Sequence, residues 1–482
     1  MIDMNLLIRH AHTVMTGQRG VAERSSASDL RIVGGVITEM GRGLAPQPGE
    51  RVLDASDCVV YPGWVNTHHH LFQSLLKAAP AGIDLTLGPW LQAVPYRHRG
   101  AFNNEERMRL AVRIGLVELL LSGCTTVADH HYLYHPDLGY DPSALLFDEA
   151  DKLGLRFMLL RGGATVTRTL RADDPTQMKP ETLDVMVGDV ERTVARYHQR
   201  GPRARRRVAF APTTVNVSLR TEELKLVARA ARHMGIPMHT HMSESVATIE
   251  HCREAFGCLP IEYLAEHEWL GPDVSLAHAV HLSEREMKML GDSGTGIAHC
   301  PQSNARLADG IAAAPQLDRL GALVSLGVDG AASNEAADML SEVHFCWLVH
   351  RALAGARSRP RPDGEGEHGA AETTVGTVIH WATAGGARLL GFDGVGTLEV
   401  GQAADLAVYD LDAPRYFGLH DPAVGPVTCA GRPRLKWLLA DGRIVVEDDA
   451  IPGVNVAELC AQARFEVRRL GGGSEAPAPP AR

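Results

Sequence analysis

The sequence predicts an α/β protein: a (β/α)₈ TIM barrel that carries a small β-sandwich built from the N- and C-terminal segments. Three features predict it. Eight short apolar runs alternate with stretches of helical period, short strands bound the chain at both ends, and polar side chains follow the apolar runs. Strands that alternate with helices imply parallel pairing through crossovers. Eight such units over roughly 300 residues fit a barrel of about 250 residues with insertions, with an open doubly wound sheet as the alternative.

The middle of the chain supplies the barrel strands and helices. Glu105–Leu121 is a helix candidate with apolar residues three or four positions apart, and Glu222–Met234 is another. The eight apolar runs are Cys58–Val65, Thr125–Asp129, Arg156–Leu160, Val208–Pro212, Pro237–His241, Val274–His278, Gly296–His299 and Leu323–Asp329.

The two ends of the chain have a different texture. Leu30–Val33 and Val36–Thr38 flank Gly34-Gly35, and a second hairpin pattern surrounds Asp441-Gly442. We therefore predict a sandwich from residues 1–61 and 386–460, a barrel from 62–385, and a terminal helix remnant with a disordered tail from 461–482. The composition of Ala356–Glu372 and of the last twelve residues is typical of a loop and a disordered tail, respectively.

Composition excludes several classes of function. With 48 basic and 58 acidic residues, the net charge of -10 argues against a nucleic-acid partner or an anionic membrane surface. No stretch approaches 18 consecutive apolar residues, and the N-terminus lacks the apolar core of a signal peptide. The eight cysteines form no CxxC pair, so we expect reduced thiols and a cytoplasmic location. A homodimer is the default expectation for soluble enzymes in general, and we carry it as an expectation here.

Polar residues end the predicted strands, and in a (β/α)₈ barrel these ends form the active site. His68 and His70 are two positions apart, so both can face the barrel mouth while His69 faces away. A third histidine from strand five and a carboxylate from strand eight would complete a set that suits Zn²⁺ or another first-row metal. Hydrogen-bonded packing is the alternative for any single histidine. The strand ends are Asn66–His70, Asp129–His131, His239–Glu244, His278, His299–Asn304 and Asp329.

The stretch Pro62–His70 resembles the strand-one HxH motif of the amidohydrolase superfamily. His241 with Glu244, then His278, His299–Asn304 and Asp329, are similar to later motifs of its cytosine/guanine-deaminase-like and triazine-hydrolase-like branch. The resemblance implies one divalent ion, with Zn²⁺ favoured and Fe²⁺ as the alternative. It implies the metal ligands His68, His70, His241 and Asp329 and the catalytic residues Glu244, His278 and Asp329.

One absence refines that resemblance. Binuclear amidohydrolases use a carboxylated lysine at the end of strand four, and the corresponding stretch Arg207–Thr214 contains no lysine. This favours one metal, and deamination over opening of a cyclic amide. A metal-binding barrel without turnover is the alternative from another class, and it predicts a broken ligand set.

Four residues are candidates for substrate binding. Gln73 lies three positions after His70, where its amide could pair with a ring carbonyl and a ring N–H; helix capping is the alternative. Arg161 and Arg168 could grip carbonyl oxygens, or one could pair with a carboxylate such as Asp129 and brace the barrel. Trp90 could stack on a flat ring or cap the barrel helices.

Five stretches indicate the substrate class by resemblance. Asn66–Leu75 and Asp129–Tyr134 are similar to the 8-oxoguanine deaminase group, whereas Arg161–Arg168, Asp329–Asp338 and Arg415–Pro422 are more similar to the isoxanthopterin deaminase group. The resemblance implies hydrolytic deamination of isoxanthopterin (2-amino-4,7-dioxopteridine) to the 2-oxo product and ammonia. A purine such as 8-oxoguanine, or another guanine- or triazine-type ring, is the alternative.

Overall fold

Three β-sheets organise the protein. The computed structural model describes residues 5–166, 179–357 and 373–471. The described strands are β1 (Asn5–Arg9), β2 (Thr13–Met15), β3 (Arg24–Ser25), β4 (Asp29–Val33), β5 (Val36–Gly41), β6 (Glu50–Asp54), β7 (Cys58–Pro62), β8 (Trp64–Asn66), β9 (Cys124–His131), β10 (Arg156–Arg161), β11 (Arg206–Phe210), β12 (Met238–Met242), β13 (Val274–His278), β14 (Gly296–His299), β15 (Leu323–Leu326), β16 (Leu406–Asp410), β17 (Arg434–Ala440) and β18 (Arg443–Glu447).

Strands β8 to β15 form one eight-stranded sheet in sequential order, and the neighbouring strands pair in parallel. The ring closes between its first and last strands. The N–H of Thr67 donates to the carbonyl of Leu326 at 3.0 Å, and His69 forms a parallel bridge with Asp329. The predicted (β/α)₈ barrel is therefore confirmed, and the carboxyl ends of its strands share one mouth.

The first predicted barrel strand is wrong in its extent. The run Cys58–Val65 divides: β7 pairs antiparallel with β16 outside the barrel, and only β8 pairs with β9. Gly63 is the junction, because its N–H donates to the Asp405 carbonyl and a Cβ there would lie 2.3 Å from the Thr125 hydroxyl. The chain crosses between two layers at a point where only glycine fits.

Helices surround the barrel. The predicted helix Glu105–Leu121 is present, and the Asn104 side chain caps it by accepting the N–H of Arg107. The described α-helices are α1 (Leu87–Leu91), α2 (Glu105–Leu121), α3 (Pro142–Leu153), α4 (Leu183–Tyr197), α5 (Val215–Ser218), α6 (Thr221–Met234), α7 (Val246–Phe256), α8 (Pro260–Glu266), α9 (Glu284–Ser293), α10 (Pro301–Arg306), α11 (Ala314–Arg319), α12 (Ala331–Asn334), α13 (Met339–Arg357), α14 (Val375–His380), α15 (Gly386–Leu389), α16 (Gly425–Thr428) and α17 (Val456–Leu470).

The other two sheets form the β-sandwich. One sheet has the order β5-β4-β1-β6, and the other has the order β18-β17-β16-β7-β2-β3, which joins both ends of the chain as expected. Leu6, Ile32, Val60 and Leu406 are buried in one shared apolar cluster, and burying each such side chain stabilises the fold by about 1.5–3 kcal/mol. The two sheets of the sandwich thus share one continuous apolar core.

An ion pair ties the sandwich to the barrel. The buried guanidinium of Arg156, on β10, donates to the carboxylate of Asp405 at 2.6 Å and to that of Asp441 at 3.0 Å. Most of the predicted loop Ala356–Glu372 and nearly all of the predicted disordered tail lie outside the described residues. Across the described ranges, no helix has both the length and the apolar character that a membrane span requires.

Candidate active site

Four predicted ligand side chains converge at the barrel mouth. His68 and His70 follow β8, His241 lies on β12, and Asp329 follows β15. The Nε2 atoms of His68 and His70 lie 3.4 and 3.3 Å from Oδ1 of Asp329. Nε2 of His70 also lies 3.2 Å from Nε2 of His241. Two donors that each lie about 2.1 Å from one ion are separated by a similar distance.

His68 is oriented from behind by a second histidine. Its Nδ1 lies 2.9 Å from Nε2 of His239, whose Nδ1 lies 2.8 Å from the hydroxyl of Ser275. With the protons on the two Nδ1 atoms, each ring donates to the next group in this chain. Nε2 of His68 then carries the lone pair, which points at the place where the four side chains converge. This buried nitrogen has no hydrogen-bond partner among the described residues. Ordered partners of this kind fix the tautomer of a metal-binding histidine.

The imidazoles of His70 and His241 are also held in the tautomer that is protonated on Nδ1. Nδ1 of His70 lies 2.8 Å from the carbonyl of His130, and Nδ1 of His241 lies 2.5 Å from the carbonyl of Thr213. Since a carbonyl can only accept, both Nδ1 atoms carry the proton and both Nε2 atoms carry a lone pair. Burial lowers the pKa of His70 to about 4 and that of His241 well below its ordinary value. Both rings are neutral, as ligation requires.

Asp329 supplies the negative charge. Burial acts to raise its pKa, but the neighbouring imidazoles hold it well below the ordinary range. Its Oδ2 accepts from the hydroxyls of Ser303 at 2.6 Å and Ser333 at 3.1 Å, which leaves Oδ1 facing the histidines. Its backbone is left-handed, with φ of 60°, and such strain in a non-glycine residue is typical of functional sites. Three imidazoles and one carboxylate therefore fit a divalent metal ion.

Two further titratable groups stand beside this cluster. Nε2 of His278 lies 3.4 Å from Oε1 of Glu244, and His278 forms one potential metal-holding group with His68, His241 and Asp329. Burial lowers the pKa of His278 to about 3. A carboxylate therefore lies next to the convergence point.

One cavity opens above the cluster and contains most of the predicted site residues. Its lining includes His70, Gln73, Trp90, His241, Glu244, His278 and Asp329, together with Tyr96, Arg99, Tyr132, Tyr134, Lys179 and Thr213. Aromatic side chains thus form much of the wall, as a flat heterocycle requires. His68 lies beneath this lining.

Gln73 lies in a buried 3₁₀ turn, Leu71–Leu75, just past His70. Its Nε2 lies 3.5 Å from the Tyr132 hydroxyl, and its Oε1 has no hydrogen-bond partner among the described residues. A Cβ on Gly330 would lie 2.0 Å from that oxygen, so the close approach depends on glycine. An amide held in this way can form hydrogen bonds with the polar edge of a ligand.

The arginine candidates give a different result. All five N–H groups of Arg161 are taken by the Glu181 and Asp189 carboxylates and the Gly162 carbonyl, and its guanidinium stacks 3.8 Å above the ring of Tyr134. The side chain lies outside the cavity lining, so the geometry favours the bracing role, although with other carboxylates than the expected Asp129. Arg168 lies outside the described residues.

Several contributing residues carried no distinctive sequence signal. His239 is separated from His241 by one residue, and spacing alone leaves open which of them faces the mouth. The Thr213 carbonyl that orients His241 is a backbone group. Tyr96 and Arg99 come from a connecting segment far from the motifs in sequence. The described cluster also includes His130, which forms a second potential metal-holding group with His68, His70 and His241.

Comparisons with known proteins agree with this geometry. The sequence profile of the amidohydrolase family matches residues 59–445. An isoxanthopterin deaminase from an unknown prokaryotic organism is 55% identical over 468 residues, covering 96% of this chain and 97% of that protein. The 8-oxoguanine deaminase of Pseudomonas aeruginosa is 38% identical, with coverage of 92% and 96%.

Solved structures support the same relationship. An amidohydrolase from an environmental sample of the Sargasso Sea has a TM-score of 0.83 at 50% identity, covering 97% of this chain and 99% of that one. The zinc complex of atrazine chlorohydrolase TrzN from Arthrobacter aurescens TC1 has a TM-score of 0.86 at 27% identity, covering 96% and 100%.

Proposed function

The chain belongs to the amidohydrolase family, and we propose that it is a metal-dependent deaminase that hydrolyses isoxanthopterin to the 2-oxo product and ammonia. The observation that carries the proposal is the convergence of three imidazoles and Asp329 beside Glu244, at the base of an aromatic-walled cavity. The substrate assignment is supported by the 55% identity to an isoxanthopterin deaminase. Deamination of 8-oxoguanine, the activity of a relative at 38% identity, is the second candidate.

The proposed ion is Zn²⁺, bound by His68, His70, His241 and Asp329. The zinc complex of a relative and the nitrogen-rich ligand set support this choice, although Fe²⁺ accepts the same ligand types. When bound, such an ion lowers the pKa of water from about 15.7 to about 7. The chain's own residues then have to place that water, take up its proton and deliver protons to the substrate.

Asp329 is proposed as the first proton acceptor. Its ionised carboxylate lies beside the water position, and the hydroxyls of Ser303 and Ser333 keep the carboxylate from turning away. His278 orients the water for attack on the ring carbon that bears the amino group. The new C–O bond forms as the water proton passes to Asp329.

Glu244 is proposed as the proton donor to the substrate. From its position against His278 it protonates the ring nitrogen next to the attacked carbon, which takes up the electron pair of the C=N bond. The proton held by Asp329 then reaches the amino group, and the C–N bond breaks so that ammonia leaves. The hydroxyl proton of the intermediate passes to Glu244 as the carbonyl forms, which restores the acid. Positioned acid–base groups of this kind contribute about 10²–10⁴-fold.

The proposed substrate-binding residues are Gln73 and Trp90. Of the two arginines that the sequence also suggested, Arg161 is engaged by carboxylates and Arg168 lies outside the described residues. The Gln73 amide offers a donor and an acceptor to the N–H and C=O edge of a 2-amino-4-oxo ring. Trp90, almost fully buried in the cavity wall, offers an apolar face. The hydrogen bonds of Arg161 and its stacking on Tyr134 support a role in holding Tyr134 rather than in binding the ligand.

We propose also that the enzyme acts in the cytoplasm as a homodimer, with residues 62–385 as the catalytic barrel, 1–61 and 386–460 as the sandwich, and 461–482 as a terminal appendage. Eight unpaired cysteines support a reducing compartment. No nucleic acid or membrane partner is proposed, in keeping with the net charge of -10.

The test is ammonia release from isoxanthopterin, 8-oxoguanine, guanine and cytosine by the purified, metal-loaded protein. We expect the highest kcat/KM with isoxanthopterin. Activity on 8-oxoguanine alone would reverse the substrate assignment, and ring opening without ammonia would replace deamination by amide hydrolysis.

A further inference from the structure

We propose that Asn304 is a positioning residue that holds His278 as the tautomer protonated on Nε2. The inference deepens the proposed deaminase function and rests on it. Asn304 lies on α10, directly after β14, and its side chain is fully buried. It lies behind His278, on the side away from the cavity, so it acts through His278 and does not line the cavity.

The contact is between nitrogen atoms. Nδ2 of Asn304 lies 3.0 Å from Nδ1 of His278. An amide NH₂ group can only donate, so Nδ1 must accept with its lone pair. The proton of the neutral ring is then on Nε2, the atom that lies 3.4 Å from Oε1 of Glu244. This arrangement is the reverse of the one at His70 and His241, whose Nδ1 atoms face carbonyls.

Asp309 favours one orientation of the Asn304 amide. Burial and Asp329 raise the pKa of Asp309 to about 7, and the interaction of its carboxyl group with the Asn304 side chain acts in the opposite direction. In the reversed orientation the amide oxygen would face the carboxylate, and both amide N–H groups would lose their acceptors. A buried polar group that loses its hydrogen-bond partner destabilises the arrangement. The N–H of Asp309 further fixes this segment by donating to the Asn304 carbonyl at 2.9 Å.

The backbone supports the same reading. His278 and Ala279 both have left-handed backbone, with φ of 71° and 51°, which costs free energy in non-glycine residues. This conformation accompanies the placement of the ring between Asn304 and Glu244. A ring protonated on Nε2 can donate toward Glu244 or the water, but it cannot accept a proton there. The geometry therefore leaves proton acceptance to Asp329 and Glu244.

The test is a double-mutant cycle on ammonia release, with isoxanthopterin and 8-oxoguanine as substrates. We expect Asn304→Ala to lower kcat by about 10–100-fold, which is at most the lower limit of the effect of a positioned acid–base group, with metal content and KM nearly unchanged. In an His278→Ala background the same substitution should change kcat by less than about twofold, because its effect passes through the imidazole. An equal loss in both backgrounds, or no loss in the first, overturns the proposal.

Two further variants guard against a folding artefact. Asp309→Asn leaves Asn304 in place but removes the carboxylate that sets its orientation, so a smaller loss of kcat is expected, and this loss should also vanish in the His278→Ala background. Asn216→Ala is the matched control, since that buried amide contacts Cys252 and not the cavity. A loss for Asn216→Ala equal to that for Asn304→Ala overturns the proposal. Failure of the wild type to release ammonia from either substrate refutes the deaminase function itself, which is a distinct result.

Discussion

The floor and the wall of the cavity are built on different principles. The floor consists of His68, His70, His241 and Asp329, which lie on or just beyond barrel strands and are oriented by hydrogen bonds from the next layer. The wall, which includes Trp90 and Tyr132, comes largely from loops and short helices. The barrel thus fixes the chemistry, while the loops that select the ring can change without disturbing it.

The largest expected effect is the loss of a floor ligand. His241→Ala should lower metal content to well below one equivalent and kcat by about 10³-fold or more, since the ion contributes several kcal/mol and each 1.4 kcal/mol is about tenfold. Chelation followed by readdition of Zn²⁺ should restore wild-type activity but not that of the variant. His233→Ala, at an exposed position on α6, is the control. If His241→Ala retained both metal and activity, the floor residues would not form the catalytic metal site.

Glu244 lies at the boundary between floor and wall, and its substitution separates metal binding from catalysis. Glu244→Gln should retain the full metal content while kcat falls by about 10²–10⁴-fold, because the amide cannot deliver a proton. Exposed Glu222, on α6, provides the matched control Glu222→Gln. An unchanged kcat in Glu244→Gln would mean that another group acts as the acid.

The floor could be predicted from the sequence because its residues obey strand geometry. The two-residue step between His68 and His70 puts both on one face, and strand order brings them near Asp329 some 260 residues later. Spacing alone could not separate His239 from His241, which both lie on that face of β12. Their difference is that one hydrogen-bonds His68 and the other reaches the cluster, and this depends on the tilt of the barrel strands.

The rest of the fold shows the same limit. The continuous apolar run Cys58–Val65 carried no internal polar residue to mark its division, because β7 and β8 are both fully buried although they belong to different sheets. Gly63, which separates β7 from β8, was the one residue in this run that could have indicated the division. The wall residues Tyr96 and Arg99 had no periodic pattern to place them, since they lie in short helical turns between α1 and α2 that reach the mouth through tertiary packing.

A wall substitution should affect substrate binding and leave the metal in place. Gln73→Ala should lower kcat/KM by about 10–100-fold, mainly through KM, since the heterocycle loses paired hydrogen bonds that contribute about 1–3 kcal/mol. Metal content should stay at the wild-type level. Gln316→Ala, on α11 away from the cavity, is the control. A large loss of metal in Gln73→Ala would show that floor and wall are not separable.

The smallest effect on catalysis is expected for Arg161, which lies behind the wall. Arg161→Met removes all five hydrogen bonds and leaves the carboxylate of Glu181, 5% exposed, buried without its partner. Removing one partner of a buried ion pair typically costs about 3–5 kcal/mol, so thermal unfolding should shift to a clearly lower Tm. Below that temperature KM for isoxanthopterin should change by less than about twofold, because no N–H of the arginine is available to the substrate. A tenfold rise in KM at unchanged Tm would instead show that Arg161 contacts the ligand, and β10 would then contribute a side chain to the cavity wall.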